Sequence, residues 1–364
     1  MSTENERELA QGEEVASADR RGFLRTAGVS GATALAGAAY GKFALAPVTP
    51  AQAAGSASPP KLSEQKWWPS KWGADDEAGA SNHMTPAKVL ESIKWIKEGK
   101  VYKLGHDYES GMPLFGKRAY TLRILGGPTG GPFGENRLVY HDEFLTAEIG
   151  QVGTQLDGLG HAGVQMAGAG DKSEMRFYNG HAASEFSDAY GLKKLGIEKC
   201  KPFFTRGHLV DMVPVKGRMM EPGEEITVAD IRSALQKQNM QEGDIKPGDA
   251  IFFNTGWGRL WKQNNDKFNS GEPGIGLEVA NWVIEKDLCL TGGDTWAVEV
   301  VPNPDKALAF PLHTALQTQH GIYNHENLFF DGLIADKKYQ FVYIFTPLPI
   351  VGATGSPGVP IGVV

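Results

Sequence analysis

The stretch "EIGQVGTQLDGLGHAGV" (148–164) holds the residues best suited to chemistry. Gln151, Gly153, Gln155 and Asp157 alternate, which on a β-strand puts all four on one face. His161 follows across Gly158-Leu159-Gly160, a backbone that can turn sharply and admit a ligand closely. Asp157 would offer a hard oxygen, and neutral imidazole suits zinc, manganese and iron alike. Gln151 and Gln155 offer only neutral carbonyl oxygens, which are weak ligands. Far along the chain, His313 lies on a predicted helix, "LHTALQTQHG", with Gln317 and His320 four and seven residues on along the same face. Glu326 follows in "YNHENL". His313 with Glu326, and Asp157 with His161, would make a divalent-metal constellation. The same residues read equally as a locally hydrogen-bonded histidine and a turn aspartate. Spacing leaves both open.

These groups need a scaffold. The chain has 364 residues, 41% hydrophobic and 22% charged, enough for a sizeable core. Its net charge of -7 comes without a dense Lys/Arg cluster, which argues against a nucleic-acid partner. Strand and helix patterns alternate without an internal repeat, which predicts an α/β or α+β class and one mature domain. "TPAKVLESIKWIKEGKV" predicts a helix capped by Thr85 and ending near Gly99. "YKLGHDYES" reads as a strand and "LGGPTGGPFGEN" as a Gly/Pro loop without the ending of a phosphate loop. "TVADIRSALQKQ" predicts a helix with Thr227 and Asp230 as its capping box. "AIFFNT" and "YQFVYIFTPLPIVG" read as buried strands, and "GLEVANWVIEKD" as a helix. Asp294 and Glu299 in "GGDTWAVEV" are expected to make structural hydrogen bonds. No H-E-x-x-H and no supported G-x-S-x-G elbow occurs.

The N-terminus carries an export pattern. Arg20 and Arg21 precede a mildly apolar Gly/Ala-rich segment, and Ala51 and Ala53 fit a cleavage site. Residues 1–53 therefore read as a twin-arginine signal cleaved near Ala53, 54–65 as a linker, and 66–364 as the mature domain, periplasmic or secreted. No later apolar run is long enough to span a membrane, so no membrane insertion of the mature chain is expected. Cys200 and Cys289 are far apart and read as buried small hydrophobes, although an oxidising compartment permits pairing.

The chain resembles the cyclase family of metal-dependent hydrolases, which includes bacterial kynurenine formamidase and isatin hydrolase. That family carries H-x-G-T-H-x-D-x-x-x-H, where this sequence has "QVGTQLDGLGH". "WGADDEAGASNHMTPAKVL", "YNG" at 178–180, "GDAIFFNTGWG", "PGIGLEVANWV", "GGDTWAVEVVP", "LHTALQTQHGIYNHENL" and "GATGSPGVP" follow in order. The resemblance covers about residues 66–364.

The resemblance implies a mixed β-sheet core (swivelling β/β/α-like) with flanking helices, forming a homodimer or homotetramer. The Trp-rich segment 66–86 could then cross to a partner subunit. It makes Asp157, His313 and Glu326 metal ligands, puts Gln151 and Gln155 where the family has ligand histidines, and makes His161 the catalytic acid/base. It implies hydrolysis of an amide, formamide or cyclic imide- or ester-type C–N or C–O bond of a small molecule, arylformamidase-like, by metal-activated water. One divalent metal per chain is implied, manganese or zinc. The oxygen-richer donor set leans toward manganese, magnesium or calcium. Of the aromatics beside these motifs, Trp72, Phe115, Trp257 and Trp296 are candidates to line a pocket for a flat substrate; Trp67 and Trp68 share that neighbourhood. His141 or His181 could replace a missing imidazole. The rivals are a catalytically inactive periplasmic small-molecule binding protein on the same fold, and a lyase or cyclising enzyme using the same site.

Overall fold

The computed structural model describes residues 66–364; the expected signal (1–53) and linker (54–65) lie outside them. Nine strands form one mixed sheet: β1 (Val101–Lys103), β2 (Gln155–Asp157), β3 (Phe203–Asp211), β4 (Ala250–Asn254), β5 (Leu290–Gly293), β6 (Tyr323–Glu326), β7 (Gln340–Phe345), β8 (Gly355–Pro357) and β9 (Ile361–Val363). Their order is β1-β9-β7-β3-β4-β5-β6-β2-β8. The central β3 to β6 run parallel. The flanks are antiparallel: β7, β9 and β1 on one side, β2 and β8 on the other. This is the expected mixed α/β architecture. Parallel strands covered on both faces lose their period-two pattern, and every residue of β4 is buried. Phe252 there packs against Tyr343 and Phe341, with ring centroids 5.0 and 5.6 Å away.

The three longest α-helices among the described residues are α1 (Pro86–Ile93), α2 (Val228–Lys237) and α3 (Leu277–Glu285). The Thr227/Asp230 capping box of α2 forms as expected. Helix α1 stops short of Gly99. Lys94 N and Trp95 N tighten the last turn onto Glu91 O and Ser92 O, and Glu98 N and Gly99 N then bond Val364 O at the sheet edge. Sheet docking thus overrides local helix preference. The expected strand "YKLGHDYES" shrinks to the short β1.

The expected Gly/Pro loop is instead the end of a long hairpin. Tyr120–Ile124 pairs with Glu143–Ala147, and Gly130–Phe133 pairs with Leu138–Tyr140. Gly131, at φ 93°, lies where a Cβ would fall 2.2 Å from Leu138 O, so the glycine permits this pairing. Leu122, Ile124, Phe133, Leu138, Phe144 and Leu145 are exposed on the hairpin. The 66–86 segment lies against its own chain. Trp67 Nε1 donates to Phe177 O at 3.1 Å, and Asn179 Nδ2 donates to Gly73 O, Ala74 O and Asp76 O at 2.9–3.0 Å. Cys200 and Cys289 are buried free thiols. No helix among the described residues is long and apolar enough to cross a membrane.

Helix α1 is pinned to the sheet by a buried charge cluster. The Asp249 carboxylate accepts from Lys88 Nζ of α1, from Arg206 Nη2 and His208 Nε2 of β3 at 2.8 Å, and from Lys246 N at 2.9 Å. Burial opposes ionisation of Asp249, but His208 and Lys88 outweigh it and hold the pKa below the ordinary value. The stabilisation is therefore complete above the unfolded-state pKa of about 4 and disappears as pH falls through the lower folded-state value. Asp249→Asn is expected to cost about 3–5 kcal/mol at neutral pH, because it leaves buried cations uncompensated. Denaturant unfolding across pH should also show a flatter loss of stability below about pH 4 in the variant.

Candidate metal centre

Strand β2 carries the site because it lies between β6 and β8. Its register sets Asn324 opposite Asp157 and Glu326 opposite Gln155. Leu156, between them, points into the core and is fully buried. The strand is shorter than the alternation suggested. Gln151 to Thr154 form turns, with Gly153 at φ 68° against the Tyr108 ring, so only Gln155 and Asp157 share a strand face. Gln151 reaches the same place through the turn: its Nε2 donates to Asp157 Oδ1 at 3.3 Å, and its Oε1 accepts from Gln155 Nε2 at 3.4 Å.

His161 is aimed by its glycines. A Cβ on Gly158 would fall 2.8 Å from Thr354 O, and one on Gly160 would fall 2.4 Å from Leu192 Cδ1. His161 N then closes a turn onto Gly158 O at 3.0 Å. His313 opens a π-helical turn, His313–Gln319, where an α-helix was expected. Such turns are rare and frequent at functional sites. Here the turn brings His313 and Gln317 together on Asp157: Gln317 Nε2 donates to Asp157 Oδ2 at 3.1 Å. His320 turns away, with its Nδ1 on Ala315 O at 2.7 Å.

The His313 ring is held from behind. Its Nδ1 makes a short hydrogen bond to Glu299 Oε1, while Glu299 also accepts from Leu312 N and His313 N. Nε2 therefore faces Asp157 Oδ2 at 3.4 Å and Glu326 Oε1 at 3.5 Å. A carboxylate behind an imidazole fixes the tautomer whose Nε2 can ligate a metal. Donor atoms of Asp157, His161 and His313 all lie within 4.8 Å of one another.

The electrostatics of the cluster fit a cation. Burial, then the charge of Asp157, pushes the Glu326 carboxyl up to about 8. Burial also opposes ionisation of Asp157, but His161 and His313 overcome it and keep its pKa below the carboxylate range. His313 is desolvated too, yet hydrogen bonds to Asp157, Glu299 and Glu326 raise its pKa well above the ordinary value. One proton on one imidazole thus serves several buried acids. The spacings around Nε2 exceed a good hydrogen bond and suit donor atoms sharing one ion. Gln155 Oε1 and Gln317 Oε1 are buried acceptors without a partner beside these acids. The donor set of Asp157, His313 and Glu326, with His161 near, fits a divalent metal of the hard or borderline kind.

Beside the cluster lies a cavity of about 290 Å³. Phe115 and Trp296, stacked with centroids 4.3 Å apart, form an aromatic wall, and Phe310 stands edge-on to both Trp296 and His313. Two aromatic candidates miss this cavity. Trp257 is fully buried, with its Nε1 on Phe268 O at 3.2 Å, because its motif places it in a core with Phe268 and Trp261. Trp72 packs edge-on to His83 and lines a separate cavity near Lys88. Trp67 and Trp68 belong to the 66–86 packing. His141 is exposed on the hairpin, and His181 lies against Phe186. Asp294 is structural as expected, accepting from Thr255 and Gly258. Glu299 proves to be the support of His313, and Arg118 and Phe310 line the cavity without having been singled out.

Residues 102–300 match the sequence model of the Cyclase family. A crystal structure described as a novel cyclase is 32% identical with a TM-score of 0.69, covering 82% of this chain and 99% of its own. Isatin hydrolase A from Labrenzia aggregata, bound to benzyl benzoate, is 17% identical with a TM-score of 0.52, over 72% of this chain and 93% of its own. Isatin hydrolase A from Ralstonia solanacearum gives 17% identity and a TM-score of 0.52, over 72% and 91%. At such identities these two show a shared fold. No curated protein matches the chain.

The Glu299–His313 pair yields a test. Glu299→Gln is expected to weaken binding of added manganese or zinc about 10–100-fold, read by equilibrium competition with a chelator. Unchanged affinity would make Glu299 a purely structural residue.

Proposed function

Given that the chain belongs to the cyclase family, we propose that it is a metal-dependent hydrolase of a small amide, formamide, or cyclic imide or ester. The observation that carries this reading is the meeting of Asp157, His313 and Glu326 beside His161 at an aromatic-walled cavity. A divalent metal held by Asp157, His313 and Glu326 would supply Lewis acidity to water and to the scissile carbonyl. Gln151 and Gln155 would orient the ligand carboxylates through their amides or add a carbonyl oxygen. His161 takes the proton from the attacking water and delivers it to the departing nitrogen or oxygen. Burial lowers the His161 pKa from its ordinary value, so the ring is neutral and able to accept a proton near neutral pH. The products are a carboxylic acid and, according to the bond cleaved, an amine, an amide or an alcohol.

His161→Ala is expected to abolish turnover in a screen of aryl formamides and cyclic imides, while metal content per chain, read by elemental mass spectrometry, stays at the wild-type level. Full activity in this variant would sink the assignment of His161. A second reading follows from the glutamines at 151 and 155, where the family pattern has imidazoles. The chain would then bind a small molecule without turning it over. Wild-type protein that binds metal and an aromatic ligand, yet hydrolyses nothing in the screen, would favour it.

The reading includes a homodimer or homotetramer. The hairpin at 120–147 exposes large apolar side chains to solvent, and a second copy is the simplest cover for them. Light scattering should give a mass of at least two chains. Replacing Leu122, Phe144 and Leu145 together by serine should return a single chain.

A further inference from the structure

We infer that the cavity selects aromatic compounds bearing a carboxylate, and that Arg118 is the residue that reads it. The inference rests on the cavity being the active site, and on no particular reaction there. Arg118 stands in the turn between the Phe115 wall and the exposed hairpin, and it lines the cavity. Its guanidinium lies over the Phe115 ring, 5.6 Å from the centroid. Among the described residues its one side-chain hydrogen bond is a long one: Nη2 to Gln151 Oε1 at 3.4 Å. Among the described residues no carboxylate lies within ion-pair distance of it, whereas Arg206, Arg218 and Arg232 each hold one. A half-buried guanidinium joined to no acid has most of its donors uncommitted.

The chemistry narrows the ligand. The cavity lining carries Glu326, His161 and His313, and Arg118 is the one lysine or arginine side chain in it. Arg118 faces the same cavity as His161 and Glu326. A substrate with one negative group would therefore enter with that group toward Arg118 and its neutral end toward His161. The planar fork of guanidinium matches a carboxylate through two parallel hydrogen bonds. A single cation balances one negative charge and does not suit a doubly charged phosphate. Phe115, Trp296 and Phe310 give an aromatic ring a stacking face and an edge. The volume of about 290 Å³ suits a compound of one or two rings. Arg118 would thus decide which end of the substrate meets the reactive groups.

The test compares phenylacetate with its neutral isostere phenylacetamide, by calorimetry on the purified chain, with metal content checked equal in every variant. Wild-type protein should prefer phenylacetate by about tenfold or more. Arg118→Gln should lower phenylacetate affinity by about tenfold or more and shift phenylacetamide affinity by much less, so that the preference is lost. Arg118→Lys should keep part of it, since it retains the charge and loses the fork. Any preference due to a bound metal is common to all variants and cancels in the comparison. The same preference in Arg118→Gln as in wild type, no preference in wild type, or no binding of either probe would overturn the inference. Its fate is separable from that of the hydrolase reading. An Arg118-dependent preference in a chain without turnover upholds this inference alone. Hydrolysis of neutral substrates with equal probe affinities upholds the hydrolase alone.

Discussion

Three buried carboxylates, Asp157, Glu299 and Glu326, converge on the ring of His313, and the surrounding structure answers the cost of placing them there. Burying an ionised acid is expensive unless donors surround it. Four amide side chains are spent on this. Gln151 and Gln317 donate to Asp157, and Gln155 and Asn324 donate to Glu326. A fourth acid, Glu272, extends the arrangement. Burial, then the charge of Glu326, raises its pKa well above the usual value, and its oxygens accept from Trp296 N and Ala297 N at 2.7 and 2.9 Å. The charged centre and the aromatic wall are therefore one mechanical unit, joined through the backbone that Glu272 holds.

The sheet supplies the precision. Placing β2 between two antiparallel neighbours fixes Asp157 on both sides, against Asn324 and against Gly355. A slip of one residue would swap Asp157 for Leu156 and empty the site. Val298, a β-branched residue at φ 64°, immediately precedes Glu299. Such a conformation persists only where neighbours over-determine it. Here the backbone bonds of Ile275 N to Val298 O and Val300 N to Ile275 O hold it on both sides.

Much of this was legible in the sequence where residue type and local pattern coincide. Asp157, His161, His313 and Glu326 were candidates by chemistry and meet in space, and α2 and β4 fall where capping and apolar runs put them. What was illegible depends on tertiary contacts. Glu299 looked like a second structural acid because nothing local distinguishes it from Asp294; only the fold sets it behind His313. Arg118 lies in a turn whose composition is unremarked, so its uncommitted charge shows only once the cavity exists. Trp257 and Trp296 flank similar Gly-rich motifs and share one buried cluster, both donating to Phe268 O, yet of the two it is Trp296 that also lines the cavity. The π-turn at 313–319 could not be told from an α-helix by periodicity, and the paired strands at 130–140 were masked by their own glycines.

The rest of the cavity lining is small: Ala162, Gly163, Ala297, Ala309 and Thr314. Gly163 has no room for a side chain, since a Cβ would fall 2.9 Å from Arg176 O and from the Phe177 ring. Ala162 and Ala309 carry no hydrogen bond to the acids and take no part in the register of β2, whereas Ala297 N donates to Glu272. Size and charge are thus set by different residues. Bulk can be added or traded at those two positions without removing a hydrogen bond to the acids. The site therefore has an inheritable division of labour, in which related chains can drift toward new substrates while the reactive group stays unaltered.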